Sequence, residues 1–260
     1  MGIPEQQLER WTTLGAQDGS RDTYASIKYA LSSSSSVIKT GDYDIYLQGS
    51  YPNSTNIRGD SDVDVVLQLN ATMFSDTSSL TVLEKQLYEG AVSPASYYWA
   101  DFRQDVLCSL KNYYGTNQIS DGKKSIKIKA NTNRLAADVV PCIQFRKYKK
   151  FLGPHDEEFV EGITFWSNEY PFQQIINYPK VHIDNGAAKN KRANQYYKRT
   201  VRMFKNARNA LIDKGWITSK TAPSYFLECL IYNAADSHFS TSLESTFIDV
   251  LSDLANGELN

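Results

Sequence analysis

The most constraining stretch of this chain is Leu47-Gln48-Gly49-Ser50-Tyr51, followed after a short loop by Gly59-Asp60-Ser61-Asp62-Val63-Asp64-Val65-Val66-Leu67. In an extended strand residues i and i+2 share a face, so Val63 and Val65 point into a core while Asp62 and Asp64 point together the other way. Two carboxylates held that close repel unless a cation sits between them, and an all-oxygen ligand set suits a hard ion, Mg²⁺ or Mn²⁺. Gly49 has no side chain to obstruct a triphosphate, and Ser50 offers a backbone N–H and a hydroxyl to a phosphate oxygen. Taken singly, an Asp-x-Asp is usually a solvated strand edge and a Gly-Ser usually a turn. Both at this spacing, flanked by apolar strands, point to metal-dependent transfer of a nucleotidyl group.

A third acid comes from a second apolar strand. After the alternating Ser125-Ile126-Lys127-Ile128-Lys129, the chain returns as Leu135-Ala136-Ala137-Asp138-Val139-Val140-Pro141-Cys142-Ile143. Asp138 is the only carboxylate between Asp121 and Asp156, and it opens an apolar run. A charge there is costly unless paired or metal-bound, so Asp138 is assigned as the third ligand beside Asp62 and Asp64. The alternative is an aspartate that merely caps a strand.

From Gly49 through Val65 the residues resemble the core of polymerase-β-type nucleotidyltransferases. The resemblance is strongest to the bacterial cGAS-like and DncV-like group, the CD-NTases, which make cyclic oligonucleotide signals in CBASS-type antiphage defence. It continues through Ala137-Asp138-Val139-Val140, Asn177-Tyr178-Pro179-Lys180, Asn185 to Asn190, Arg202 to Arg208 and Ala222-Pro223-Ser224-Tyr225-Phe226-Leu227-Glu228-Cys229, nearly the whole chain. The branch it most resembles uses uridine nucleotides and makes cyclic UMP-AMP or cyclic di-UMP. The resemblance implies an α/β (α+β) fold: a nucleotidyltransferase core with a mixed sheet over residues 1–165, and a mainly helical lobe over 166–260 completing the nucleotide pocket. It implies UTP and ATP as substrates, no nucleic acid template, a monomer, and a downstream effector that senses the product. It also implies a somewhat longer C terminus than one ending at Leu259-Asn260, so the chain is either shortened or a naturally short member. Two rivals stay open: another polymerase-β-type transferase acting on RNA ends or proteins, and an inactive nucleotide-binding scaffold.

Composition is compatible with this reading. At 260 residues the chain can bury a substantial core, and its net charge of −1 creates no global field that recruits nucleic acid. Cys108, Cys142 and Cys229 are few, odd in number and far apart, which fits a reducing cytosol. There is no signal peptide and no run of ~20 apolar residues, and Gln6 argues against myristoylation at Gly2. The expectation is a soluble cytoplasmic protein.

Periodicity predicts a helix near Arg21 to Leu31, a flexible five-serine connector from Ser32 to Ser36, and strands at Asp44 to Leu47 and Ser61 to Leu69. It also predicts a helix from about Trp99 to Tyr114 with an apolar stripe of Phe102, Val106, Leu110 and Tyr113 or Tyr114, and a helix from Phe247 to Leu254. Beyond Phe145 the chain reads as basic and irregular, then largely helical. Lys189 to Lys214 holds nine Lys or Arg against Asp213, a local +8. Tyr197, Val201, Phe204 and Leu211 share one helical face there, with Lys198, Arg202 and Lys205 on a neighbouring stripe; such a charge run usually forms a solvated face.

Lys205 is set apart, because the resemblance places a phosphate-binding lysine on this helix. Ser224 would approach the phosphates and Tyr225 would stack on a base, with helix capping and core packing as the equal alternative. Asn177 matches a nucleobase-lid position that is Asn in uridine-using relatives; its amide can pair with the uracil edge, but adenine also presents one donor and one acceptor. His155, His182 and His238 have no ligand spacing and are not assigned to metal. The expected reaction is a two-metal displacement at the α-phosphate with pyrophosphate leaving, performed twice to close the product.

Overall fold

The computed structural model describes residues 3–58 and 62–257. Gly2, the Gly59-Asp60-Ser61 part of the motif and Leu259-Asn260 lie outside the described residues. In chain order the elements are α1 (Glu5–Trp11), α2 (Asp18–Ser32), β1 (Tyr43–Leu47), β2 (Val63–Asp76), α3 (Val82–Ala91), α4 (Trp99–Tyr114), β3 (Ile119–Asp121), β4 (Ile126–Ile128), β5 (Ala137–Gly153), β6 (Asp156–Trp166), β7 (Gln174–Asn177), α5 (Pro179–Arg192), α6 (Tyr197–Asp213), α7 (Ser224–Asn233) and α8 (Leu243–Asn256). They form two compact units. A sheet unit comprises Asp18–Gln48 and Ser61–Val181; a helical unit comprises Met1–Gln17, Gly49–Asp60 and His182–Asn260. The sequence reading set one boundary near residue 165, whereas packing divides the chain discontinuously and carries the Gly-Ser segment with the helices.

In the sheet unit the strand order is β1-β2-β5-β4-β3, with β6 pairing β5 and β7 pairing β6. The sheet is mixed: β2 and β5 run parallel, and β1 runs antiparallel to β2. Alternation is obeyed only at the start of β2, where Val63 and Val65 at 0% exposure flank the half-buried Asp64; from Val65 to Leu69 both faces are buried. The apolar stripe of α4 is core at Phe102, Val106 and Leu110, all at 0%, whereas Tyr113 at its end is 40% exposed and Tyr114 only half-buried. The serine connector is not a bare flexible loop. Ser109 Oγ accepts the Val37 N–H at 2.9 Å, and Asn112 donates to the Ser35 carbonyl at 3.2 Å, so the segment is fastened to α4.

The basic stretch beyond Phe145 is a strand, contrary to expectation. β5 continues to Gly153 and returns as β6. Phe145, Tyr148 and Phe151 are buried at three-residue intervals: the ladder to β6 is continuous from Phe145 to Tyr148, so those two lie on opposite faces, and a register shift falls between Tyr148 and Lys150, before Phe151. Bulges hide a strand from a period-two reading. In the helical unit Tyr197, Val201 and Phe204 of α6 are buried with Leu8, Ile231, Phe239 and Val250, and the Phe204 and Phe247 rings stack at 4.6 Å.

Candidate active site

The acids lie at the start of the two central strands. β2 and β5 pair in parallel with Asp64 directly across from Asp138. Directly opposed residues point to the same side of a sheet. Their neighbours Val63, Val65, Ala137 and Val139 are at 0–1% exposure on the other side, so the two carboxylates share the opposite face. Further along that face Val66, Val140 and Cys142 close into an apolar cluster with Ile163 and Phe165, which confines the polar portion to the strand ends. Burial drives the Cys142 thiol well above its ordinary pKa, consistent with a purely packing role. Lys127 on β4 is in register with Asp138 and places its ammonium 3.8 Å from that carboxylate. Asp62 is exposed and immediately precedes β2. Among the described residues no group of three or more His, Cys, Asp or Glu is arranged to hold a metal ion.

The Gly-Ser segment is built by different means. Gln48, the last residue before it, donates its N–H to the Asp64 carbonyl at 3.0 Å, extending the β1 ladder by one bond. Gly49 then has φ 75°, a left-handed conformation that a side chain would strain. The loop closes on itself, because the Thr55 N–H donates to the Ser50 carbonyl at 2.9 Å and the Ser54 N–H to the Tyr51 carbonyl at 3.1 Å. Asn53, Thr55, Asn56 and Ile57 are buried, while Gly49 and Ser50 keep partial exposure.

Beneath this loop is a charged cluster. Lys205, 1% exposed, donates to the Thr55 carbonyl at 3.0 Å and lies 3.5 Å from Glu228 Oε2. Glu228 is equally hidden: its Oε2 accepts the Thr55 hydroxyl at 3.0 Å, and its Oε1 is 3.2 Å from His182 Nε2. Burial pushes the Glu228 carboxyl up, but the His182 hydrogen bond, the Lys205 charge and the Thr55 hydroxyl outweigh it, so the net shift is downward. Arg202 donates through Nε to the Thr12 carbonyl at 2.6 Å and through Nη1 to the Ser54 carbonyl at 2.5 Å. Burial, with Arg199 adding to it, lowers the Arg202 pKa to about 10. Of the charge run read as a solvated face, Arg202 is therefore interior, spent on two loop carbonyls; Lys205, set apart as a phosphate-binding residue, is buried as well.

The remaining expected residues are dispersed. Asn177 ends β7, is exposed, and pairs with Ile163 of β6. Tyr178 follows it, with its ring edge-on to Phe145 at 6.2 Å. Ser224 is the first residue of α7, and its hydroxyl accepts a hydrogen bond from Arg208 at 2.8 Å. Pro223, not Ser224, occupies the capping position, and Tyr225 is 65% exposed with its ring 5.0 Å from His182, so capping and core packing do not describe these two. Sequence reasoning assigned no role to Glu228, Thr55, Arg202 or Lys127. A signal for Glu228 was present: it is the one charge in the run Ala222 to Ala235, the kind of isolated carboxylate that singled out Asp138.

Comparison with known proteins settles the family. The chain is 45% identical over all of its 260 residues to the cyclic UMP-AMP synthase of Rhodothermus marinus, covering 86% of that protein. It belongs to the cGAS/DncV-like nucleotidyltransferases. The family model for their C-terminal helical domain matches residues 184–260. The cyclic nucleotide synthase CdnE01 of Staphylococcus haemolyticus is 42% identical over 92% of the chain and 79% of its own length. The solved Rhodothermus marinus synthase, with Apcpp and Upnpp, superposes with a TM-score of 0.86 at 44% identity, over 98% of this chain and 84% of that one. A CD-NTase is a nucleotidyltransferase with an α/β core and a helical lobe, as the two units here are built. Among the described residues no helix is long and apolar enough to cross a membrane.

Proposed function

We propose that this CD-NTase condenses UTP and ATP into cyclic UMP-AMP in a Mg²⁺-dependent, template-independent reaction, as a cytoplasmic monomer whose product is sensed by a downstream effector in antiphage defence. The chemistry rests on one observation, the register of Asp64 against Asp138. The choice of bases is supported by the 45% identical synthase named for cyclic UMP-AMP, and by the solved structure of that synthase with Apcpp and Upnpp.

The donor set fits a hard divalent ion. Asp64 and Asp138 face the same side of adjacent strands, and Lys127, itself largely exposed, offsets the Asp138 charge only weakly. Asp64 and Asp138, with Asp62 two residues upstream, would hold Mg²⁺, which supplies a lowered pKa for a ribose hydroxyl and charge neutralisation for the phosphates. Gly49 and Ser50 bind the triphosphate through backbone N–H groups and the Ser50 hydroxyl. Lys205 contributes positive charge from under the loop, and the Ser224 hydroxyl, already accepting from Arg208, has its own proton to give to a phosphate oxygen. Asn177 reads the uracil edge, and the exposed Tyr225 ring stacks on a base. The held ribose hydroxyl attacks the α-phosphate and pyrophosphate leaves; the linear intermediate then turns round and reacts once more. Positioning and charge stabilisation account for the acceleration.

Mass spectrometry of the product made from all four NTPs tests this. The expected product is phosphatase-resistant cyclic UMP-AMP made without primer or acceptor. A primer-linked or protein-linked nucleotide would instead identify another transferase, and absence of pyrophosphate release an inactive scaffold.

A further inference from the structure

Among the described residues the Glu228 carboxylate has three side-chain partners, and each belongs to a different segment of the helical unit: Thr55 in the Gly-Ser loop, Lys205 on α6 and His182 on α5. Thr55 is in turn the residue whose N–H holds the Ser50 carbonyl. A chain of short contacts thus runs from the Glu228 carboxylate through Thr55 to the backbone of Ser50. A buried carboxylate is expensive unless it is fully bonded, so its presence in the apolar run of α7 calls for a return. Packing does not supply that return, because Leu227 and Ile231 beside it already fill the core. Charge bookkeeping points the same way. Lys205 and Arg202 are both buried under the loop, with Arg202 bonded to the Ser54 carbonyl and Lys205 to that of Thr55. Glu228 neutralises one cation and at the same time takes the Thr55 hydroxyl.

From these contacts we infer that Glu228 is a positioning residue for triphosphate binding: it locks Thr55, and through Thr55 it fixes the loop conformation in which Ser50 meets the phosphates. This rests on the proposed phosphate role of Gly49 and Ser50. Glu228 touches no reacting atom. Its effect appears as nucleotide affinity rather than as the rate of the chemical step.

The test uses the whole chain and the α,β-imido analogue of UTP with Mg²⁺, measuring dissociation constants, KM and kcat for Thr55→Val, Thr55→Ser, Glu228→Gln and Ser50→Ala. Thermal unfolding without nucleotide is followed alongside. Thr55→Val removes only the hydroxyl and keeps both backbone bonds; it is expected to weaken analogue binding and raise KM by about tenfold, the worth of one hydrogen bond to a charged group. Thr55→Ser restores the hydroxyl and with it the affinity. Glu228→Gln follows Thr55→Val in KM, with kcat of the folded enzyme within about twofold of the parent. If Ser50→Ala weakens binding while Thr55→Val and Glu228→Gln leave KM unchanged, the positioning role is overturned and the phosphate role survives. If Ser50→Ala, Thr55→Val and Glu228→Gln all leave binding unchanged, the inference fails together with the phosphate role of the Ser50 hydroxyl. Loss of thermal stability with unchanged KM in Glu228→Gln would likewise overturn the inference, marking the cluster as structural only.

Discussion

Gly162→Ala is a sharp test of how the Asn177-Tyr178 segment is held. Gly162 lies on β6 opposite Phe145 and next to Ile163, which pairs with Asn177. A Cβ at this position would meet the Asn177 carbonyl oxygen at 2.7 Å and two Tyr178 ring carbons at 2.8 and 2.9 Å. The ring could swing, but it rests against Phe145, and the carbonyl cannot retreat without loosening the β6–β7 pairing. Overpacking of this kind costs about 1–3 kcal/mol. In a chain of this size each kcal/mol lowers Tm by roughly 2–4 °C, so a fall of about 2–12 °C is expected by circular dichroism. Gly90→Ala on α3 is the control: nothing lies within 4 Å of its Cβ, and alanine is favoured in a helix, so Tm should hold or rise slightly. Because the strain falls on Asn177 and Tyr178, the proportion of UTP incorporated should fall as well. An unchanged Tm together with an unchanged product distribution would refute the reasoning.

Two further outcomes follow from the site. Asp138→Asn removes one of two facing carboxylates, so pyrophosphate release should stop. Tm without metal should hold or rise as the repulsion is relieved, and the Mg²⁺-dependent gain in Tm should disappear; a gain equal to that of the parent would contradict a metal role for Asp138. Asn177→Ser is expected to move incorporation from UTP towards ATP or GTP in a radiolabelled four-NTP assay, and an unaltered preference would remove Asn177 from base selection.

Much of the sheet was legible because its strands obey simple alternation near the acids. Val63 and Val65 announced their burial, and the trailing Val139 marked Asp138 as the polar residue of an apolar strand. Legibility failed where period two failed: Phe145 and Tyr148 are buried on opposite faces of β5, a register shift separates Tyr148 from Phe151, and the intervening lysines made a strand resemble a loop. It failed again on α6. Sequence spacing places Lys198, Arg202 and Lys205 on a stripe, but whether that stripe faces water depends on a segment some 150 residues earlier in the chain, whose carbonyls happen to need donors. Pair partners of that kind are set by tertiary packing and leave no local periodic trace.

The discontinuous helical unit has a consequence for biosynthesis. Arg202 bonds Thr12 across 190 residues, and the loop bearing Ser50 waits for Lys205 and Glu228. A ribosome delivering this polypeptide N-terminus first would complete the whole mixed sheet before the first helix gains its permanent neighbours. Excising 184–260 by the family-model limits would strip that fragment of α1 and of the Gly-Ser loop, so a separately expressed tail is expected to emerge misassembled.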